Sequence, residues 1–154
     1  MHDTSSESAP SRAGAGTAVI PMAEAVDGRG AVTLLRVVAA LACLDTLLQG
    51  LLAGMLLNGD LDSIDPHGHN AYVFEFLVSV QVVAAVLLWR RNRRLTWPLK
   101  ATVGILLVTF TQTYLGLESS LAGHVTLGVA LCAMEAILVM RAFSLRVADS
   151  SASA

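Results

Sequence analysis

Hydrophobic residues in this chain gather into four long runs separated by short polar breaks, at about residues 32–57, 66–89, 98–117 and 121–143. Each run approaches or exceeds the roughly 18 to 20 residues that carry a helix across a bilayer. Backbone in hydrocarbon must satisfy its own N–H and C=O groups, so runs of this kind predict helices. Prolines mark two of the boundaries. Asp65-Pro66 predicts the start of the second helix, with Asp as N-cap and Pro at the first helical position, and Pro98 opens the third. The breaks are short enough to force neighbouring helices antiparallel. The predicted fold class is therefore all-α, an integral membrane up-down-up-down four-helix bundle. Residues 29–146 form the four-span membrane domain. Segments 1–28 and 147–154, small and polar in composition, are expected to be disordered tails. No basic segment followed by a short apolar core precedes the first run, so that run is expected to be an uncleaved anchor.

Composition strengthens this picture. Of 154 residues, 55% are hydrophobic and only 14% charged, with a mean hydropathy of +0.64. Soluble domains carry about a quarter of their residues as charged groups, so soluble-enzyme readings are excluded. Twelve acidic residues against ten basic ones leave no polycationic surface, and no nucleic acid partner is expected. Where the charges sit is more telling. Arg90, Arg91, Arg93, Arg94 and Lys100 crowd the middle connection, Arg141 and Arg146 follow the fourth run, and Arg29 and Arg36 flank the start of the first. The other two connections hold Asp60, Asp62, Asp65 and Glu118 with no Lys or Arg. By the positive-inside rule, both termini and the middle connection are cytoplasmic in a multi-pass plasma-membrane protein of prokaryotic type. Trp89 and Trp97 bracket that connection, where interfacial aromatics belong.

The two halves of the chain read alike. Gln49-Gly-Leu-Leu-Ala53 and Gln112-Thr-Tyr-Leu-Gly116 each place a Gln four residues before a small residue near the outer end of a helix. Each is followed by an outer connection and then by a His, in His67-Gly-His-Asn-Ala71 and His124-Val-Thr-Leu-Gly128. Both halves share one orientation, so the expectation is a parallel internal repeat about an axis along the membrane normal.

Ionisable and polar groups within membrane helices are the candidates for chemistry. His67 and His124 fall in the outer turns of the second and fourth helices, which are diagonal neighbours in an up-down bundle. Two imidazoles facing across a bundle core are the arrangement that clamps a haem iron from both sides. Gln49 and Gln112 are expected to line or brace such a pocket. His69 competes with His67 as a ligand, but residues two apart on a helix point nearly opposite ways, and the repeat favours His67. Were His67-Gly68-His69 unwound beside Asp60, Asp62 and Asp65, it would offer a divalent-cation site instead. Each residue also has a plainer reading. A His at a helix end bonds a nearby carbonyl, and a membrane Gln ties neighbouring helices. Glu135, Asp45 and Gln81 would satisfy one another or meet Arg36 or Lys100, and Thr109, Thr111 and Thr113 would bond back to their own helix. Cys43 and Cys132 lie mid-span and are expected to pack as small apolar side chains. No Gly-rich phosphate loop, CxxCH, HExxH or spaced nucleophile and base occurs, so any haem would be held non-covalently.

Gln112-x-x-Leu-Gly116, the short outer connection and His124-x-x-x-Gly128 with the apolar helix that follows resemble one four-helix half of the haem A synthase family. That family consists of two such halves, with paired His on the second and fourth helices of each. The resemblance implies that His124 matches the fourth-helix His and that His67, or less well His69, matches the second-helix His. Only one half is present, the family's His-Arg pair is missing, and no outer run of glutamates stands where its catalytic Glu would be. These departures argue against haem A synthesis itself. The chain, over about residues 33–146, is also similar to a family of small four-span bacterial membrane proteins with a Leu-Ala-Gly stretch, here Leu52-Ala53-Gly54.

Two functional expectations follow. One is a haem b pocket near the outer face, with His67 and His124 as axial ligands, serving electron transfer or haem handling with a redox partner protein. The other is a non-enzymatic accessory or structural subunit of a membrane complex. Small residues at Gly50, Ala53 and Gly54 would face lipid and a partner helix in the second case, and the His pair in the first.

Overall fold

Each apolar run becomes a helix, giving α1 (Arg29–Leu57), α2 (Ile64–Arg91), α3 (Trp97–Leu117) and α4 (Leu121–Ser144), with one 3-10 turn at Leu61–Ser63. The structure, a computed structural model, describes residues 28–146; apart from Gly28, the two expected tails lie outside the described residues. No strand occurs among the described residues. Three segments are long and apolar enough to cross a membrane: α1, α4, and α2 together with the turn before it. Lys100 and the polar run from Thr109 to Thr113 dilute the shorter α3.

The start of α2 differs from the sequence expectation. The helix begins at Ile64 with Ser63 as its N-cap, so Asp65 and Pro66 lie inside the first turn rather than at the cap. The preceding 3-10 turn, held by Ser63 Oγ donating to Asp60 at 3.0 Å, feeds directly into the helix. Proline is tolerated there because first-turn N–H groups have no helical partner to lose.

The helices form a ring in chain order: α1 packs on α2, α2 on α3, α3 on α4, and α4 closes on α1. The diagonal pairs, α1 with α3 and α2 with α4, have no close backbone approach. Apolar side chains fill the middle and one end. One cluster joins Val32, Leu35, Ala84, Leu88 and Ala142 at the end that carries the arginines; the other joins Ala39, Ala42, Phe74, Val78, Ile105, Leu131 and Leu138. Both clusters stop short of the acidic end, so the last turns there are held by polar contacts and leave room.

At the basic end Arg36 closes the ring. Its Nε donates to the Ala142 carbonyl at 3.1 Å and its Nη2 to Leu145 at 2.6 Å, while the guanidinium lies 5.5 Å from the Phe143 ring centroid. The last carbonyls of a helix are unpaired and carry partial negative charge, so one guanidinium satisfies them and complements the dipole. It is this task, not a carboxylate, that engages Arg36. Replacing Arg36 with Met keeps the stem and removes the donors. The expected loss is about 1–3 kcal/mol, measured as a lower SDS midpoint in micelles. Nearby, Arg93 stacks on Trp89 at 4.1 Å and Arg141 on Trp97 at 4.7 Å.

Candidate functional site at the acidic end

His67 and His124 are each the fourth residue of their helix, α2 and α4. Helical spacing puts Ala71, Phe74 and Val78 below His67, and Gly128, Leu131 and Glu135 below His124. Phe74, Val78, Leu131 and Glu135 are all buried, so both imidazoles stand on the inward faces of diagonal helices. The rings meet across the bundle, with centroids 5.9 Å apart and planes inclined at 68°. His69 points the other way and is exposed, and α2 is helical through Gly68, so the unwound cation loop does not form. No group of three or more His, Cys, Asp or Glu suited to a metal ion occurs among the described residues.

Each His is held by the Gln of the preceding helix. His124 Nδ1 donates to the Gln112 carbonyl at 2.9 Å, and the Gln112 amide nitrogen lies 3.2 Å from His124 Nε2. With the proton on Nδ1, Nε2 accepts from that amide. Gln49, oriented by its neighbours, donates to His67 Nδ1 at 3.0 Å and to the His67 carbonyl at 3.2 Å, and accepts from Ala71 N–H at 3.1 Å. The repeat seen in sequence thus recurs as a Gln–His pairing in each half, with different bonds: Gln49 donates to Nδ1 of His67, while Nδ1 of His124 donates to the Gln112 carbonyl.

One small residue of the repeat, Gly116, has a steric reason. A Cβ on Gly116 would lie 2.7 Å from His124 Nδ1 and 2.8 Å from Cε1, so only glycine lets the ring lie against α3. Two cavities flank the His pair, of about 690 and 630 Å³, and both are lined by Gln49, Ala53, Gln112 and the two His. The first runs between α2 and α3 and reaches the helix ends at Ile64 and Ser119; the second lies between α1 and α4. Volumes of this order are those of small-molecule sites.

No family model, curated protein or solved structure matches the chain. The site is therefore read from its own geometry.

Below the site two more polar bridges cross the core. Asn70 donates to Asp45 at 3.2 Å, tying α2 to α1. Gln81 Nε2 donates to Glu135 Oε2 at 2.9 Å, joining the diagonal pair α2 and α4, and both side chains are fully buried. The remaining oxygen of each, Oε1, has no partner. Cys43 and Cys132 are free and half-buried. One functional contact was missed by sequence reasoning. Thr109 and Thr111 bond back to Ile105 and Leu107 as expected, but Thr113 Oγ1 donates to Glu75 Oε1 at 3.0 Å, strapping α3 to α2. Its only signal was position: Thr113 directly follows Gln112, and Glu75 lies two helical turns below His67.

Proposed function

We propose that the chain is a four-span protein of the plasma membrane, with both termini cytoplasmic, that binds haem b between His67 and His124 near the outer face for electron transfer or haem handling. The observation that carries this reading is the His pair facing across the α2/α4 diagonal with a cavity on either side. A metal ion taking one imidazole nitrogen from each side at about 2.0 Å would hold the ring centroids roughly 6 Å apart. The rings stand 5.9 Å apart with both nitrogens of His124 engaged by Gln112, so ligation would require one of those contacts to be released.

Haem bound in this way supplies a one-electron couple. The protein's part is to hold the rings and exclude water. Nδ1–H donation to a backbone carbonyl is a common support for a metal-binding imidazole, because it fixes the tautomer and the ring's orientation. Gln112 gives His124 that support. A turn of the Gln112 amide would release Nε2 of His124, whereas at His67 the nitrogen that a turn of the Gln49 amide would release is Nδ1. Ala53, Gly116 and Gly128 keep the walls thin, while Leu56, Phe110 and Val125 supply apolar lining. No Lys or Arg stands between Arg36 and Arg90 or between Lys100 and Arg141. An anionic ligand would accordingly find no Lys or Arg partner within these stretches. The likeness to one half of haem A synthase points the same way.

The test is a reduced-minus-oxidised visible spectrum of the purified protein after haem loading in detergent. A sharp Soret shift with split visible bands is expected; a featureless spectrum overturns the reading. A second reading, an accessory subunit without cofactor, draws on Gly50 and Gly54. Both are exposed, and a Cβ at either would meet nothing within 4 Å, as at a seat for a partner helix. Co-purification of a stoichiometric partner with a colourless protein would favour it.

A further inference from the structure

The two cavities occupy equivalent places in the repeat, yet their walls differ. Aligning Gln49 with Gln112 pairs Gly50 with Thr113 and Gly54 with Leu117. Aligning His67 with His124 pairs Tyr72 with Val129 and Glu75 with Cys132. The members of these pairs divide cleanly between the two mouths. The α2/α3 mouth carries Thr113, Leu117, Tyr72 and Glu75, and the α1/α4 mouth carries Gly50, Gly54, Val129 and Cys132. One mouth is walled by large side chains and crossed by the Thr113–Glu75 hydrogen bond at 3.0 Å. At the other, the equivalent positions are Gly50 and Cys132, and a glycine has no side chain with which to form a strap.

α1 and α4 pack together over the basic and middle parts of the bundle, where both contribute to the two apolar clusters. They are joined at the basic end by Arg36 and by the cluster of Val32, Leu35 and Ala142. Towards the acidic end, small residues on both helices would ordinarily let the backbones approach closely. At Gly50 and Gly54 that room is unfilled: a Cβ on either would meet no atom within 4 Å, and both glycines line the cavity of about 630 Å³ that ends on His67 and His124.

From this broken symmetry we infer that the α1/α4 cleft is the lateral door through which a flat apolar ligand passes from the bilayer to the His pair, the α2/α3 cavity being crossed by the Thr113–Glu75 bond and running instead to the helix ends. The inference rests on the haem reading above for the ligand at the end of the path. It assigns Gly50 and Gly54 to access rather than to a helix partner, and Thr113 and Glu75 to bracing α2 against α3 on the opposite side.

Loading kinetics test it. Apoprotein is reconstituted in phosphatidylcholine vesicles, haemin is added to partition into the bilayer, and growth of the Soret band is followed. Gly50→Leu and Gly54→Leu, whose new side chains enter open space, are each expected to slow loading several-fold and to reach the wild-type spectrum in the end. Thr113→Val, which unties the strap, is expected to load at the wild-type rate or faster. If both glycine variants load as fast as wild type, the door is overturned while the haem site stands. If they load normally but abolish a cross-linkable dimer of the wild type, the cleft is instead a helix interface. If wild type itself develops no Soret band, the haem reading and the door fall together.

Discussion

Replacing either His67 or His124 with alanine is expected to abolish the split-band spectrum of haem-loaded protein while leaving the helices inserted. Each ring is half-buried and contributes no apolar cluster, so truncation removes a ligand without emptying the core. Loss of a supporting partner alone typically lowers metal affinity about 10–100-fold, and loss of a ligand should exceed that. Gly116→Ala separates the ring's position from its presence. The added methyl would lie within 3 Å of two atoms of the His124 ring, which is already held against Gln112 at 2.9 Å. The ring must swing away, breaking the Nδ1 bond and the pairing with His67. Haem titration should then show affinity lowered by about 10–100-fold, as for a lost supporting group. Retention of wild-type bands by both alanine variants would remove the His pair from the site.

The second large effect is one of stability. Glu135→Leu removes the partner of Gln81 in the fully buried middle of the bundle. The Gln81 amide would then have neither of its groups satisfied, since its oxygen is already without a partner. An unsatisfied buried polar group costs about 1–3 kcal/mol. In SDS titrations the single variant should unfold earlier by that amount. Adding Gln81→Leu should recover most of the loss, because removing both partners leaves nothing unsatisfied. If the double variant is no more stable than the single one, the two side chains are not energetically coupled.

Helix number and extent were legible from the apolar runs, because a backbone in hydrocarbon has few alternatives to a helix of bilayer length. The runs end within a few residues of the observed helices, and the inward faces of α2 and α4 follow from helical spacing below each His. The repeat favoured His67 over His69 without deciding which faces the core; the helix turns His67 inward and leaves His69 exposed. The cap of α2 was not legible, since whether Asp60–Ser63 coils into a 3-10 turn depends on a side-chain bond within the connection. Nor was the task of Arg36, which meets carbonyls more than a hundred residues away.

What the chain's own order of residues dictates is an all-α bundle with two matching Gln-His halves. Local periodicity sets those features, and every residue needed for them lies within one or two helices. Which groups meet across the diagonal is another matter. The 5.9 Å His pair, the Gln81–Glu135 bridge and the Thr113–Glu75 strap join residues on different helices. Their meeting depends on how far each helix is rotated and tilted in the ring. The contrast between a mouth crossed by the Thr113–Glu75 bond and a mouth lined by Gly50 and Gly54 exists only there, because it depends on which side chains the ring of helices brings to each cavity.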